Sequence, residues 1–247
     1  MHWIYLSPHF DDAVLSCGGL IWEQAQRRER VEIWTIFGGD PPPGPLTPFA
    51  RSLHERWQSG PQAVSARQVE DERACRRLGA SLRRFELPDC IYRCHAGGMA
   101  VVQREEDLFQ PGYNRERPLV EWIQGRIDAL APQAARLVSP MALGDHIDHQ
   151  LVWSAAVSRG AQAWFYADYP YVVRHPQSLP DRARSYAGEK TYPLSEAGIA
   201  AWQDAVAQYA SQLSTFWSSA AEMRQAIQAY ARANRGSRLW TGYQGAL

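Results

Sequence analysis

Apolar and polar positions divide the chain into short apolar runs that alternate with amphipathic stretches. Trp3 to Leu6 is a continuous apolar run long enough for a buried strand, and Pro8, which lacks an N–H for a ladder, ends it. From Ala13 to Gln26 the residues Val14, Leu15, Leu20 and Ile21 recur near helical spacing. Val31 to Phe37 predicts a second buried strand, and the resulting strand–helix–strand unit predicts parallel pairing with a right-handed crossover. Gln62 to Leu78 predicts an amphipathic helix whose Arg, Glu and Asp residues are mostly a solvated face. Further on, the pattern predicts strands over Leu82–Leu87, Arg136–Pro140 and Ala163–Ala167, and helices over Pro118–Leu130 and Leu151–Val157. Glu189 to Leu194 reads as extended, followed by helices over 195–213 and 218–233. This alternation predicts an α/β, Rossmann-like fold: a doubly wound, mostly parallel sheet with helices on both faces and an added C-terminal helical part. Residues 1–247 read as one domain.

Two stretches carry no periodicity. Residues 40–63 are rich in Pro and Gly, and a structureless segment of that length inside a compact domain is usually functional or mobile. It leaves the sheet edge that carries the first polar cluster, so it reads as a lid or specificity loop, with Phe49 and Trp57 as apolar walls. Residues 93–117 read as a second irregular loop. Gly38-Gly39 after a strand does not continue into a glycine-rich helix start, which argues against nucleotide binding.

Composition narrows the function classes. The formal net charge is zero, so no electrostatic footprint points to nucleic acid or an anionic membrane. Apolar residues make up 45%, enough for a full core, yet no run of about 18 apolar residues predicts a membrane span. The chain enters strand at once, leaving no room for a signal peptide, so the cytoplasm is the default expectation. Cys17 and Cys75 fall in helical patterns as small core residues; Cys90, Cys94 and His95 lack the second cysteine pair of a structural zinc site.

Chemistry concentrates at two strand ends. His9, Asp11 and Asp12 lie between the first strand and the first helix, the edge where open α/β sheets bind ligands. A single Asp there would serve as a helix cap; two adjacent Asp and a His call for metal binding or catalysis. The second cluster, Gly144-Asp145-His146-Ile147-Asp148-His149, follows the 136–140 strand. His146 and His149 are three apart, so on a helical turn their Cβ atoms are about 5–6 Å from each other. Both can face one ion, or one can bind it while the other meets substrate. The two clusters together supply a His/Asp/His set, the pattern of a catalytic zinc with an open water position.

At these residues the chain resembles the PIG-L (LmbE-like) family of zinc-dependent N-deacetylases. The family's two signatures stand here as Ser7-Pro8-His9-Phe10-Asp11-Asp12-Ala13 and His146-Ile147-Asp148-His149. Arg67-Gln68-Val69-Glu70-Asp71, Ala74 and Leu78-Gly79-Ala80 are similar to its second helix, Leu87-Pro88-Asp89 to its next strand end, and Tyr209-Ala210-Ser211-Gln212 to a C-terminal motif. Phe10 and Ile147 replace the usual prolines, and Ala13 stands where the family often has Glu. The resemblance implies one Zn²⁺ per chain, or another divalent ion, held by His9, Asp12 and His149. It implies Asp11 as the proton acceptor, a protonated His146 beside the developing oxyanion, and Asp148 or Asp145 orienting a histidine. Arg67 and Asp89 are the implied substrate contacts. The implied reaction removes an N-acetyl or other N-acyl group from an N-acetylglucosamine-type amino sugar. The expected partner is thus a small molecule rather than nucleic acid, and a homo-oligomer is compatible with this reading. An amidase on another acylated metabolite is the main alternative. A metal-dependent sugar-binding module, which would not need Asp11, and a two-metal phosphoesterase, which would need further ligands, are less well matched.

Overall fold

The structure of the chain, a computed structural model, describes residues 1–57 and 60–245. In chain order its elements are β1 (His2–Ser7), α1 (Asp12–Gln26), β2 (Arg30–Thr35), α2 (Pro48–Arg56), α3 (Ala63–Leu78), β3 (Ser81–Arg84), α4 (Arg117–Leu130), β4 (Arg136–Pro140) and α5 (Ile147–Val157). There follow β5 (Ala163–Tyr166), α6 (Tyr171–Arg174), α7 (Ser178–Ala183), β6 (Tyr186–Tyr192), α8 (Glu196–Val206), α9 (Ala210–Phe216), α10 (Ala220–Ala233) and β7 (Ser237–Tyr243). Among the described residues these strands form one sheet in the order β3-β2-β1-β4-β5-β7-β6. The pairs from β3 to β5 are parallel, and β7 is antiparallel to both neighbours. The α/β, mostly parallel expectation holds.

β1 and β4 are adjacent, with Trp3 opposite Arg136 and Tyr5 opposite Val138. The order reverses between them, since β1 leads outward to β2 and β3 and β4 leads the other way. That places the turns after β1 and after β4 side by side at the crevice where open sheets bind ligands. Both strands are buried on both faces, which is why their sequences read as continuous apolar runs.

Helix α1 lies close against α8. A Cβ on Gly18 would sit 2.4 Å from Trp202 Cδ1, and one on Gly19 would sit 2.7 Å from Leu194 Cδ1. Trp202 also donates its indole N–H to the Val14 carbonyl at 2.8 Å. The two glycines thus let the C-terminal helices dock on the helix that begins at Asp12.

Three expectations are corrected. The 40–63 stretch is not structureless: Thr47 caps α2 by accepting from Ala50 N–H, and Leu53 and His54 are buried. His54 bonds the Tyr92 hydroxyl at 2.6 Å and the Gly60 carbonyl at 2.9 Å. Part of the lid expectation, at Gln58 and Ser59, lies outside the described residues. The helix expected over 195–213 breaks between Val206 and Ala210, where Tyr209 turns into the core at 1% exposure. The C-terminal part also returns a strand, β7, to the sheet. Its sequence, Ser237-Arg-Leu-Trp-Thr-Gly-Tyr, mixes polar and aromatic residues and carries Gly242, so it gives little strand signal on its own.

Candidate active site

Both polar clusters sit on helix starts. Asp11 precedes α1 and Asp12 is its first residue; His146 caps α5, with Asp148 and His149 in the first turn. Each helix follows its strand across a turn at the same sheet edge, so His9, Asp11, Asp12, His146 and His149 meet in one crevice, all buried.

The atoms that could hold an ion converge on one carboxylate oxygen. Asp12 Oδ2 lies 3.3 Å from His9 Nδ1 and 3.3 Å from His149 Nε2. The other nitrogen of each ring is already engaged. His9 Nε2 is 3.0 Å from Asp148 Oδ2, and His149 Nδ1 is 2.7 Å from Asp168 Oδ1. A carboxylate at one nitrogen fixes the tautomer and frees the opposite lone pair, the usual support for a metal-bound histidine. His149 Nε2 is buried and has no hydrogen-bond partner among the described residues. An orphaned, basic, buried nitrogen beside a carboxylate fits a divalent cation.

Two other groupings are weaker. Asp148 brings Cys90 and His146, or His9 and Asp89, within ligand distance of one another. Asp148 is already saturated, by Arg93 at 2.6 Å, the Cys90 N–H at 3.1 Å and His9. Burial and the nearby Asp148 push the Cys90 thiol well above its ordinary range, so it keeps its proton and makes a poor ligand. His146 also brings a nitrogen within 4.8 Å of His9 and His149. Its Nδ1, however, accepts from the Asp148 N–H at 3.3 Å, leaving Nε2 as the N–H donor of a neutral ring.

Electrostatics separates the two adjacent aspartates. Burial and then Asp12 raise the Asp11 carboxyl above the ordinary carboxylate range, against the opposing Arg67. For Asp12 burial also acts upward, but His149 and His9 outweigh it and its carboxyl lies well below that range. Asp12 is thus the anion and Asp11 the better proton acceptor. Burial, His9 and His149 hold His146 well below its ordinary value, a direction that disfavours the expected imidazolium.

Arg67 donates to Asp11 Oδ1 at 3.4 Å and lies 4.0 Å from Asp89 Oδ2. Its guanidinium is clamped between Phe10 and Trp57, 5.1 and 4.8 Å from the ring centroids. Asp89 faces the same space, 3.7 Å from His9 Nε2, while its Oδ1 caps a short turn at Ile91. Of Asp148 and Asp145, the two acids offered for orienting a histidine, it is Asp148 that contacts His9. His149 instead contacts Asp168, which the sequence reading missed. Its only signal was an acid just past the end of a strand, the position Asp89 also occupies. Arg93, buried between Glu116 and Asp148, was hidden in a stretch read as loop.

The crevice opens into a pocket. Leu53 and Trp57 come from the 40–63 stretch, Leu108 and Phe109 from the 93–117 stretch, and Tyr171, Arg174 and Phe216 from the C-terminal half. Trp57 is thus a wall as expected, whereas Phe49 packs on the core. Phe109 is fixed by a backbone bridge to His146, and Gln150 ties that loop down by donating to the Gln110 and Asp145 carbonyls. Tyr169 is core, and its neighbour Tyr171 is the aromatic wall.

Residues 4–159 match the profile of the PIG-L family, described as GlcNAc-PI de-N-acetylase. The chain is similar to a 2'-N-acetylparomamine deacetylase of Niallia circulans, 30% identical in an alignment of 195 residues that covers 72% of this chain and 70% of that protein. It is also similar to a 2'-N-acetylparomamine deacetylase of Streptomyces fradiae, 30% identical in an alignment of 181 residues that covers 68% of this chain and 57% of that protein. Among solved structures, the zinc-inhibited form of a teicoplanin deacetylase matches with a TM-score of 0.83 at 23% identity over 99% of each chain. An A40926 pseudoaglycone deacetylase matches with a TM-score of 0.75 at 23% identity, covering 100% of this chain and 98% of that one. At such identities the structural matches establish the fold.

Proposed function

The chain belongs to the PIG-L family of de-N-acetylases, and from that membership we propose that it hydrolyses the N-acetyl amide of an N-acetylglucosamine-type amino sugar with the help of one zinc ion. The observation that carries this reading is the convergence of His9 Nδ1 and His149 Nε2 on Asp12 Oδ2, with the opposite ring nitrogens held by Asp148 and Asp168. His9, Asp12 and His149 would hold the ion. When bound, it would acidify a water molecule and polarise the amide carbonyl.

The remaining roles fall to the chain's own side chains. Asp11, set beside Asp12 but turned to Arg67, takes the proton of the attacking water. Its raised proton affinity suits that task. The His146 Nε2–H donates to the oxygen that becomes negative as the carbonyl carbon turns tetrahedral. Asp11 then returns its proton to the leaving nitrogen, so the amine departs neutral. Arg67, with a buried Nε lacking a partner among the described residues, and Asp89 face the pocket as contacts for sugar hydroxyls. The 2'-N-acetylparomamine deacetylases that the chain resembles are named for an N-acetylated amino-sugar substrate, which supports the same class here. No helix among the described residues is long and apolar enough to cross a membrane. The free cysteines suit a reducing compartment such as the cytoplasm.

A panel of N-acetyl sugars and their conjugates, read by release of primary amine with zinc present, tests the proposal. Amine release from at least one member, abolished by a chelator and restored by zinc, is the expected result. Release that survives complete metal removal would refute it.

A further inference from the structure

Glu70 and Asp71 on α3 and Tyr209 and Ser211 in the C-terminal motif, none of which the mechanism uses, meet beneath the catalytic turn. Glu70 accepts from the N–H and hydroxyl of Ser211 at 2.9 and 2.7 Å. Beside it, Tyr209 Oη lies 2.8 Å from the Phe10 carbonyl oxygen and 3.0 Å from Asp71 Oδ1. Phe10 is the residue between His9 and Asp11, so its peptide sets where both of those side chains start. Asp71 and Thr35 are 0% exposed and Tyr209 is 1% exposed, so water is not at hand to repair a missing hydrogen bond.

Counting hydrogens decides how this network is wired. A tyrosine hydroxyl carries one hydrogen, yet two acceptors stand within bonding distance. If Asp71 is ionised, that hydrogen serves either the carboxylate or the Phe10 carbonyl, and the other contact is acceptor against acceptor. A proton on Asp71 Oδ1 removes the conflict. Asp71 then donates to Tyr209 Oη, and the tyrosine hydrogen goes to the Phe10 carbonyl. The remaining partners agree, for the Thr35 hydroxyl donates to Asp71 Oδ2 at 3.1 Å and the Cys75 thiol reaches Oδ1 at 3.7 Å.

We infer that Asp71 is a neutral carboxylic acid in the working enzyme and that Asp71 and Tyr209 are positioning residues, acting through the Phe10 carbonyl to hold the turn that carries His9 and Asp11. The groups facing Asp71 are Thr35 on β2, Cys75 on its own helix α3 and Tyr209 between α8 and α9, with Arg84 on β3 as the charge that favours ionisation. Burial outweighs them and raises its carboxyl to about 7. The role rests on the reading of residues 9–12 as the catalytic turn; the protonation state does not.

Asp71→Asn separates the neutral acid from the carboxylate. An amide presents an N–H where the acid presents its O–H, and keeps an acceptor for Thr35. The expected result is that Asp71→Asn retains turnover of the parent's order, while Tyr209→Phe, with the same fold and zinc content, loses kcat with little change in KM. A displaced catalytic group can cost about 10²-fold. Difference infrared spectroscopy of the parent against Asp71→Asn at pH 6 should show a protonated carboxylic C=O band that the variant lacks. This arm needs no substrate and no Tyr209 variant. Absence of that band overturns the protonation. A folded Asp71→Asn that loses turnover as Tyr209→Phe does overturns the neutral-acid role. A folded Tyr209→Phe with unchanged kcat overturns the positioning role.

Discussion

Replacing Asp168 with Asn exchanges one oxygen for nitrogen and should disable the metal cluster. Each carboxylate oxygen of Asp168 now accepts from a different nitrogen, Oδ1 from His149 Nδ1 at 2.7 Å and Oδ2 from the Leu143 N–H at 2.9 Å. A side-chain amide offers one acceptor oxygen and an NH₂ donor. The backbone N–H of Leu143 cannot change role, so the amide oxygen turns to it and the NH₂ faces His149 Nδ1. His149 must then carry its proton on Nε2, the atom facing Asp12, and no lone pair is left there for an ion. Loss of an outer partner of a metal-bound histidine costs roughly 10–100-fold in affinity, about 1.4–2.7 kcal/mol. The wrong tautomer should place Asp168→Asn at or beyond the upper end. Asp168→Ala is the control, since it removes the carboxylate but leaves the imidazole free to choose its tautomer. The Ala variant should bind zinc more tightly than the Asn variant, as read by competition with a fluorescent chelator on protein shown to be folded by circular dichroism. An Asn variant that holds zinc as tightly as the parent, or more tightly than Ala, would refute the reasoning. The cluster also gives a sign for pH. Burial opposes a charge on metal-free His149, but Asp12 and Asp168 raise it to about 9. At neutral pH an ion must displace that proton, so zinc affinity should rise with pH, about tenfold per unit for each proton released, and flatten above about 9.

Asp11→Asn should keep fold and zinc yet lose roughly 10²–10⁴ in turnover, the usual worth of a general base; loss of zinc instead would reverse the assignment of Asp11 and Asp12. His146→Ala should keep zinc and lose roughly 10²–10³ in kcat as one oxyanion donor disappears, and a variant with parental kcat would remove that role. Hydrogen exchange should report α2 moving as a unit on ligand binding, since Leu53 and His54 anchor it as a helix rather than a loose loop; exchange there that ligand leaves unchanged would argue against a lid. Gly18→Ala drives a methyl to 2.4 Å from Trp202 Cδ1, and overpacking of this kind costs about 1–3 kcal/mol; an unchanged Tm would mean that α1 and α8 pack less rigidly than described.

The sequence by itself determined the central strands β1, β2, β4 and β5 and the ends at which chemistry sits. Strands buried on both faces read as mainly apolar runs, whereas β3, half exposed with Arg83 and Arg84, was read three residues too far along; the polar residues that follow the buried strands must lie at one edge of a parallel sheet. His9, Asp11, Asp12, His146 and His149 were legible for that reason, and the family resemblance assigned their roles. Tertiary structure alone decided which nitrogen of each histidine is free. That depends on Asp148 and Asp168 reaching across from other elements, and Asp168 lies 19 residues beyond the histidine it orients. It also decided that His146 is held below its ordinary value, because burial and two neighbouring rings act through space, and that β7 returns between β5 and β6. Local pattern records the neighbours a residue has along the chain. Protonation, tautomer and the pairing of a late strand are set by neighbours that only folding supplies.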